Sequence, residues 1–252
     1  MKTATDPYNG NGHDDGQKTH ARRAVPINGA RLQPDLSGAL VWPERGVLIV
    51  ADLHLEKGSH YHGRSRHFLP PYDSAATLDD LEDVLARHEP ATVICLGDSF
   101  HDGGAVHRLS DAICARIAAL TARHTWIWIA GNHDPAPAAD LGGEVHDEIV
   151  LGGLVFRHAA DPDHRPAGEV SGHYHPKAAV RVRGRRVSAR CFAGDGRRLI
   201  LPAFGAYTGG LNVLAPALRG LLGNRFAAHL IGRNGVYSYR ADALIPETRD
   251  PT

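Results

Sequence analysis

GVLIVADLH, residues 46–54, is an apolar run closed by a carboxylate and an imidazole, and its reading decides the fold. Two later segments repeat the design: TVICLGD at 92–98 and TWIWIAGNHD at 125–134. A continuous apolar run of strand length, punctuated by glycine, marks a strand buried on both faces, as in parallel sheets. Helical patterns separate the three. LPPYDSAATLDDLEDVLARHEP (69–90) offers Asp73 as N-cap and Leu78, Leu81, Leu85 and His88 on one stripe, stopped by Pro90. Val106, Leu109, Ile113, Ile117 and Leu120 mark a second helix. Strand, helix, strand, helix, strand predicts a pair of βαβ crossovers with parallel strands.

Working outward, the segments around AVPINGARL, GALVW and GVLIVA between Val25 and Val50 read as strands entering this sheet. Downstream, EIVLGGLVFRH (148–158) reads as two strands about a Gly-Gly turn, and Ala178–Leu201 alternates in the manner of hairpins. Further strands are expected near Phe226–Ile231 and Gly235–Tyr239. The expected fold is α/β: a two-layer β-sandwich with flanking helices. Residues 1–23 are polar and aperiodic and read as a disordered lead, 24–245 as one domain and 246–252 as a tail.

With 252 residues, 42% hydrophobic and 22% charged, the chain has an ordinary globular composition, not that of collagen or a coiled coil. No apolar run approaches the roughly 20 residues of a membrane span, and the polar N-terminus carries no signal-peptide pattern, so a cytoplasmic protein is expected. Cys95, Cys114 and Cys191 are odd in number and unpaired in spacing, which suits a reducing compartment. Lys+Arg and Asp+Glu are 28 each, so net charge gives no argument for nucleic acid. Histidine is the excess, 17 residues where composition predicts about 2%.

In open α/β sheets, ligands collect outside the carboxyl ends of strands. Each inferred parallel strand ends in a metal-competent cluster: Asp52-Leu53-His54, Gly97-Asp98 and Gly131-Asn132-His133-Asp134. In an extended backbone Asp52 and His54 point the same way and can reach one ion. His158 ends LVFRH, and His173 and His175 stand two apart in GHYH. This mixed N/O set suits Mn²⁺, Fe²⁺ or Zn²⁺ better than Mg²⁺ or Ca²⁺.

DLH, GD, GNHD, a lone His and GHYH, in that order over about Ile49–His175, resemble the calcineurin-like metallophosphoesterase superfamily. The resemblance implies Asp52, His54, Asp98 and His175 as ligands of one metal and Asp98, Asn132, His158 and His173 as ligands of the other, with Asp98 as the bridge. It implies His133 as the catalytic histidine beside the leaving group and Asp134 as its orienting carboxylate. ADLHLEKG, LPPYD, LGDSFHD, GNHDP and PAFGAYTGGLNV resemble one branch, the bacterial ligase-associated DNA damage response endonucleases of the PdeM type. GDSFHD is also similar to the GD-x-x-H element of repair nucleases, which places His101 near a phosphate or the leaving oxygen. Implied with the branch are DNA as substrate and an ATP-dependent DNA ligase and helicase as partners.

The implied reaction is phosphodiester hydrolysis. Two metals roughly 3.5–4 Å apart acidify a bridging water and neutralise the phosphate oxygens it attacks. The loop KGSHYHGRSRH (57–67) offers Lys57, Arg64 and Arg66 for substrate phosphates. Arg181, Arg183, Arg185, Arg186 and Arg190 read first as the wet face of a hairpin whose Val180, Val182 and Val187 point inward, with phosphate contacts as the alternative. Trp126 and Trp128 read as core and PAFGAYTGG as a turn-rich structural element, with Tyr207 a candidate to approach the pocket. Two other readings stand beside DNA endonuclease: a phosphodiesterase or phosphatase of small cyclic-nucleotide or aryl esters, and a non-catalytic scaffold on the same fold.

Overall fold

The computed structural model describes residues 24–57, 73–102, 104–135, 139–206 and 208–247. The expected N-terminal lead, Arg64, Arg66, most of the loop 57–67, Tyr207 and most of the tail lie outside them.

Seven strands form the first sheet in sequential order: β1 (Val25–Ile27), β2 (Ala30–Pro34), β3 (Leu40–Trp42), β4 (Val47–Val50), β5 (Thr92–Leu96), β6 (Thr125–Ile129) and β7 (Glu144–His146). The pairs β4–β5, β5–β6 and β6–β7 are parallel. The crossover helices are α1 (Asp73–His88) and α2 (Asp111–Arg123). On α1, Leu78, Leu81, Val84 and Leu85 are buried, as their spacing predicts. His88 turns instead to Asp35, its Nε2 3.1 Å from a carboxylate oxygen. Helix α2 starts later than predicted. Ser110 is its N-cap, with the hydroxyl accepting from Ile113 N at 3.4 Å, and Val106 falls in a separate single turn of 3₁₀ helix, Val106–Arg108. The apolar stripe ran on across that break because both pieces pack on one core.

The second sheet contains β8 (Glu148–Leu151), β9 (Leu154–Arg157), β10 (Glu169–Ser171), β11 (Pro176–Val182), β12 (Arg185–Gly194), β13 (Arg198–Ile200), β14 (Leu211–Asn212), β15 (Ala227–Ile231) and β16 (Val236–Arg240). Its centre is parallel: β10 pairs with both β9 and β13. A short helix, α3 (Pro216–Leu222), covers the outer face.

Three buried clusters define the layers. Leu48, Val50, Val93 and Cys95 meet Leu81, Val84 and Ile117 of the helices. Ile49, Ile94, Leu96 and Ile129 meet Phe156, Val170, Phe192 and Leu199 between the sheets. Ala178, Val180, Ala193 and Leu230 meet Leu218, Leu221 and Leu222 of α3. Trp126 and Trp128 belong to the first cluster, in line with their reading as core. The architecture is helix, sheet, sheet, helix. Among the described residues no helix is long and apolar enough to cross a membrane.

The hairpin β11–β12 differs from expectation on one face. Val182 and Val187 are 40% and 45% exposed, because the ribbon outruns the sheet that would cover them.

Candidate metal centre

The parallel strands β4 and β5 keep pairing past their formal ends. Asp52 N donates to Gly97 O at 3.2 Å, His54 N to Asp98 O at 2.9 Å and Leu55 N to Ser99 O at 2.9 Å. This registration sets Asp52 and His54 beside Asp98. From the second sheet, β9 delivers His158 and β10 delivers His173 and His175 to the same end.

The backbone here is not extended as predicted. Asp52 and His54 have left-handed φ values of 54° and 46°, as do Asp98 (47°), His173 (70°) and His175 (44°). The chain has to curl at each strand end for its donors to converge, and side chains two apart then need not share a target. Asp and His enter this region more readily than bulkier residues, yet each such residue stores energy, which is typical of functional sites.

Two compact donor groups result: Asp52, His54 and His175, and Asp98, His158 and His173, with the ligand atoms of each within 4.8 Å of one another. His54 Nε2 lies 3.2 Å from His175 Nε2, which is 3.6 Å from Asp52 Oδ1. His158 Nδ1 donates to Leu96 O at 2.9 Å, so its Nε2 carries a lone pair. That lone pair lies 3.5 Å from Asp98 Oδ2, 2.9 Å from Asn132 Oδ1 and 3.0 Å from His173 Nδ1. His173 N holds the Asp52 carboxylate at 2.9 Å, and His133 N holds Asp98 Oδ1 at 2.9 Å, so both carboxylates are braced by backbone donors.

The electrostatics favour cations. Burial, helped by His175 and Lys57, pushes the His54 imidazole down to about 2. Burial and His158 likewise lower His173. Both rings are thus held in the neutral form that ligates metal. Neutral imidazoles and an amide oxygen facing carboxylates present acceptors to acceptors, an arrangement that divalent cations resolve. The donor set fits two metal ions.

Around the groups stand the residues read as catalytic. The His133 ring lies 5.6 Å from the His54 ring and stacks at 5.5 Å on His101, which is buried. Asp134 does not reach the His133 ring through any hydrogen bond among the described residues. Its Oδ2 accepts from Phe100 N at 3.0 Å, so it braces the turn that carries His101. Burial raises the Asp134 carboxyl to about 7, with Asp98 adding to the effect against the hydrogen bonds from the Phe100 and Ser99 N–H groups. Lys57 stands close enough to influence His54; burial lowers its pKa and the Asp73 charge opposes that.

Sequence reasoning missed two supports. PAFG runs beneath the first ligand loop: Phe204 N donates to Ala51 O at 2.8 Å and Gly205 N to Asp52 O at 3.2 Å, with no room for a Cβ at Gly205 against Leu53 O. Thr77 on α1 then accepts from Ala206 N at 3.0 Å. The glycine in PAFG was the signal; only the packing says what it touches.

A αββα sandwich with two cation-ready groups where its sheets converge defines a metallophosphoesterase, and the family profile described as calcineurin-like phosphoesterase matches residues 46–190. The chain belongs to that family, whose members are hydrolases of phosphoester bonds. Among solved structures it is similar to Pseudomonas putida nuclease MPE, at 31% identity over 86% of this chain and 98% of that one, with a TM-score of 0.64. More distant are Yfce, a phosphoesterase from E. coli (13% identity, 77% and 97% covered, TM-score 0.41), and a predicted phosphoesterase from Streptococcus pneumoniae (13%, 77% and 96%, TM-score 0.31). No curated protein matches the chain.

Proposed function

We propose that the protein is a metal-dependent phosphodiesterase that cuts DNA internally, working with two divalent ions, manganese foremost, in DNA repair. The observation that carries the reading is the adjacency of the two donor groups, with His133 and His101 facing the first of them. The likeness to a protein described as a nuclease, at 31% identity over 86% of this chain and 98% of that one, supports DNA over other phosphoesters.

Asp52, His54 and His175 would hold one ion and Asp98, Asn132, His158 and His173 the other, Asp98 serving both. When bound, the ions lower the pKa of an attacking water and neutralise phosphate oxygens. The chain supplies the rest. His133, exposed and beside the first group, donates a proton to the departing oxygen, a role worth ~10²- to 10⁴-fold. Its ring is backed by the stacked ring of His101. Lys57 contributes positive charge for the substrate phosphate.

Purified protein with Mn²⁺ should nick single-stranded or gapped DNA, with Asp98→Ala as the blank; absence of cleavage across Mn²⁺, Fe²⁺ and Zn²⁺ rejects the proposal. His133→Ala should keep its metal content by elemental analysis while kcat falls ~10²-fold or more. The balanced charge, 28 against 28, favours a second reading, a small-phosphodiester hydrolase. Salt separates the two: binding to DNA weakens steeply as salt rises, and binding of a small diester does not.

A further inference from the structure

The hairpin β11–β12 begins one residue after His175 and leaves the body of the molecule. Strand β14 flanks it at Pro176 and Lys177, Ile245 bridges to Ala179, β15 pairs with it from Cys191 onward, and Ala178–Val180 are buried, so the free part begins at Arg181. Residues 181–188 are all exposed, a freestanding two-stranded ribbon. From Pro176 to its turn the ribbon spans about 20 Å at ~3.4 Å per residue.

Its chemistry is one-sided. RVRGRRVSAR, residues 181–190, holds five arginines and no acid in a chain of balanced charge. Arg190 is engaged with Ala203 O and Ser37 O. Among the described residues no carboxylate lies within ion-pair distance, 4.0 Å, of Arg181, Arg183, Arg185 or Arg186.

Two local choices cost stability. Arg181 stands directly opposite Arg186, and like charges opposed across an antiparallel pair repel. Arg183, with φ 48°, occupies the first position of a two-residue turn with Gly184, φ 77°, where asparagine or aspartate suits the left-handed backbone better. The Arg181 guanidinium donates to Gly184 O at 3.1 Å and Arg186 lies near enough to Glu247 to lower its pKa, but neither contact removes the opposition of Arg181 and Arg186 or calls for arginine at position 183. An anionic partner would relieve the first and use the second, since the turn projects Arg183 at the tip.

The geometry points to this ribbon as an arm that grips the phosphate backbone of duplex DNA flanking the bond cleaved at the metal centre, an inference that rests on the DNA reading above. A two-stranded ribbon has the width that a major groove admits. The exposed part, from Arg181 to the tip at Arg183, is about 10 Å long, or about three base pairs at ~3.4 Å each, and its tip stands about 20 Å of strand from the site.

The test is fluorescence-anisotropy titration of a duplex carrying a single-stranded tail, from low to high salt, using the full chain, Arg181→Ala/Arg186→Ala and Arg183→Asn. Each lost phosphate contact should reduce the slope of log K against log salt by about 0.9, so the double variant should lose about 2 and bind roughly tenfold more weakly near physiological salt. Arg183→Asn should bind the duplex more weakly while its thermal midpoint holds or rises, because asparagine fits the turn; a change in folding alone predicts the two moving together. Hydrolysis of an aryl phosphodiester is read in parallel. An unchanged salt slope in both variants, or aryl diester turnover lost along with DNA binding, overturns the arm. Failure of the unsubstituted protein to cleave any DNA while it still binds the duplex in an arginine-dependent way counts against the proposed function and leaves the arm standing.

Discussion

Gly97 sets how closely a strand end can approach an imidazole. A Cβ there would overlap the His158 ring, and its φ of 73° is one that only glycine adopts freely. Gly131 does the same for Asp98 and Asp134 on the neighbouring strand end. These residues carry no chemistry, yet the donor atoms converge because they lack side chains. Gly97→Ala should displace His158 from the second group and weaken metal affinity there ~10- to 100-fold, the range seen when groups orienting a ligand are lost. Calorimetric titration with Mn²⁺ checks this: loss of the weaker or both binding events is expected, and an unaltered isotherm is not.

At the scale of elements, a buried ion pair holds a site-bearing strand. Glu169 opens β10, the strand that leads to His173 and His175, and it is fully buried against Arg198 of β13, with Nε 3.0 Å from the carboxylate. The same guanidinium bonds the carbonyls of Asp161, His164 and Leu221. Glu169→Ala would leave that charge uncompensated, which costs about 3–5 kcal/mol and should appear as a lower denaturation midpoint. A second anchor joins β2 to the end of α1: Asp35 takes two hydrogen bonds from Arg87, at 2.9 and 3.0 Å, and lies 3.1 Å from His88. Burial alone would raise the Asp35 pKa, but Arg87, the Ser37 N–H and His88 outweigh it and lower it well below the ordinary value of 3.8. A carboxyl depressed in the folded state stabilises fully above its unfolded pKa of about 4 and loses that contribution as pH falls towards the folded value. Asp35→Asn should therefore lower stability at neutral pH and flatten its decline below pH ~4, read from urea midpoints across pH.

For the whole molecule, the candidate metal centre is a joint between two sheets. β4 and β5 bring Asp52, His54 and Asp98, while β9 and β10 bring His158, His173 and His175, so ions bound there would tie one half of the sandwich to the other. Without them, like donors face one another across the joint. Chelation should lower the thermal midpoint, and excess Mn²⁺ should restore it; at 100 times Kd a bound ion adds about 2.7 kcal/mol. A midpoint indifferent to chelator and to Mn²⁺ would argue against any such joint.

The sequence by itself determined the parallel core, the two crossover helices and the identity of the converging donors, because apolar runs and strand-end clusters are local patterns that burial enforces. It misjudged the start of α2, where a serine cap interrupts a stripe that looks continuous, and the backbone at Asp52 and His54, which curls where extension was expected. It could not place Asp134 against the Phe100 turn or Gly205 beneath Leu53, nor leave Val182 and Val187 uncovered on a projecting ribbon. Those facts depend on which distant segments lie side by side, and pairing across a hundred residues is decided only when the layers pack.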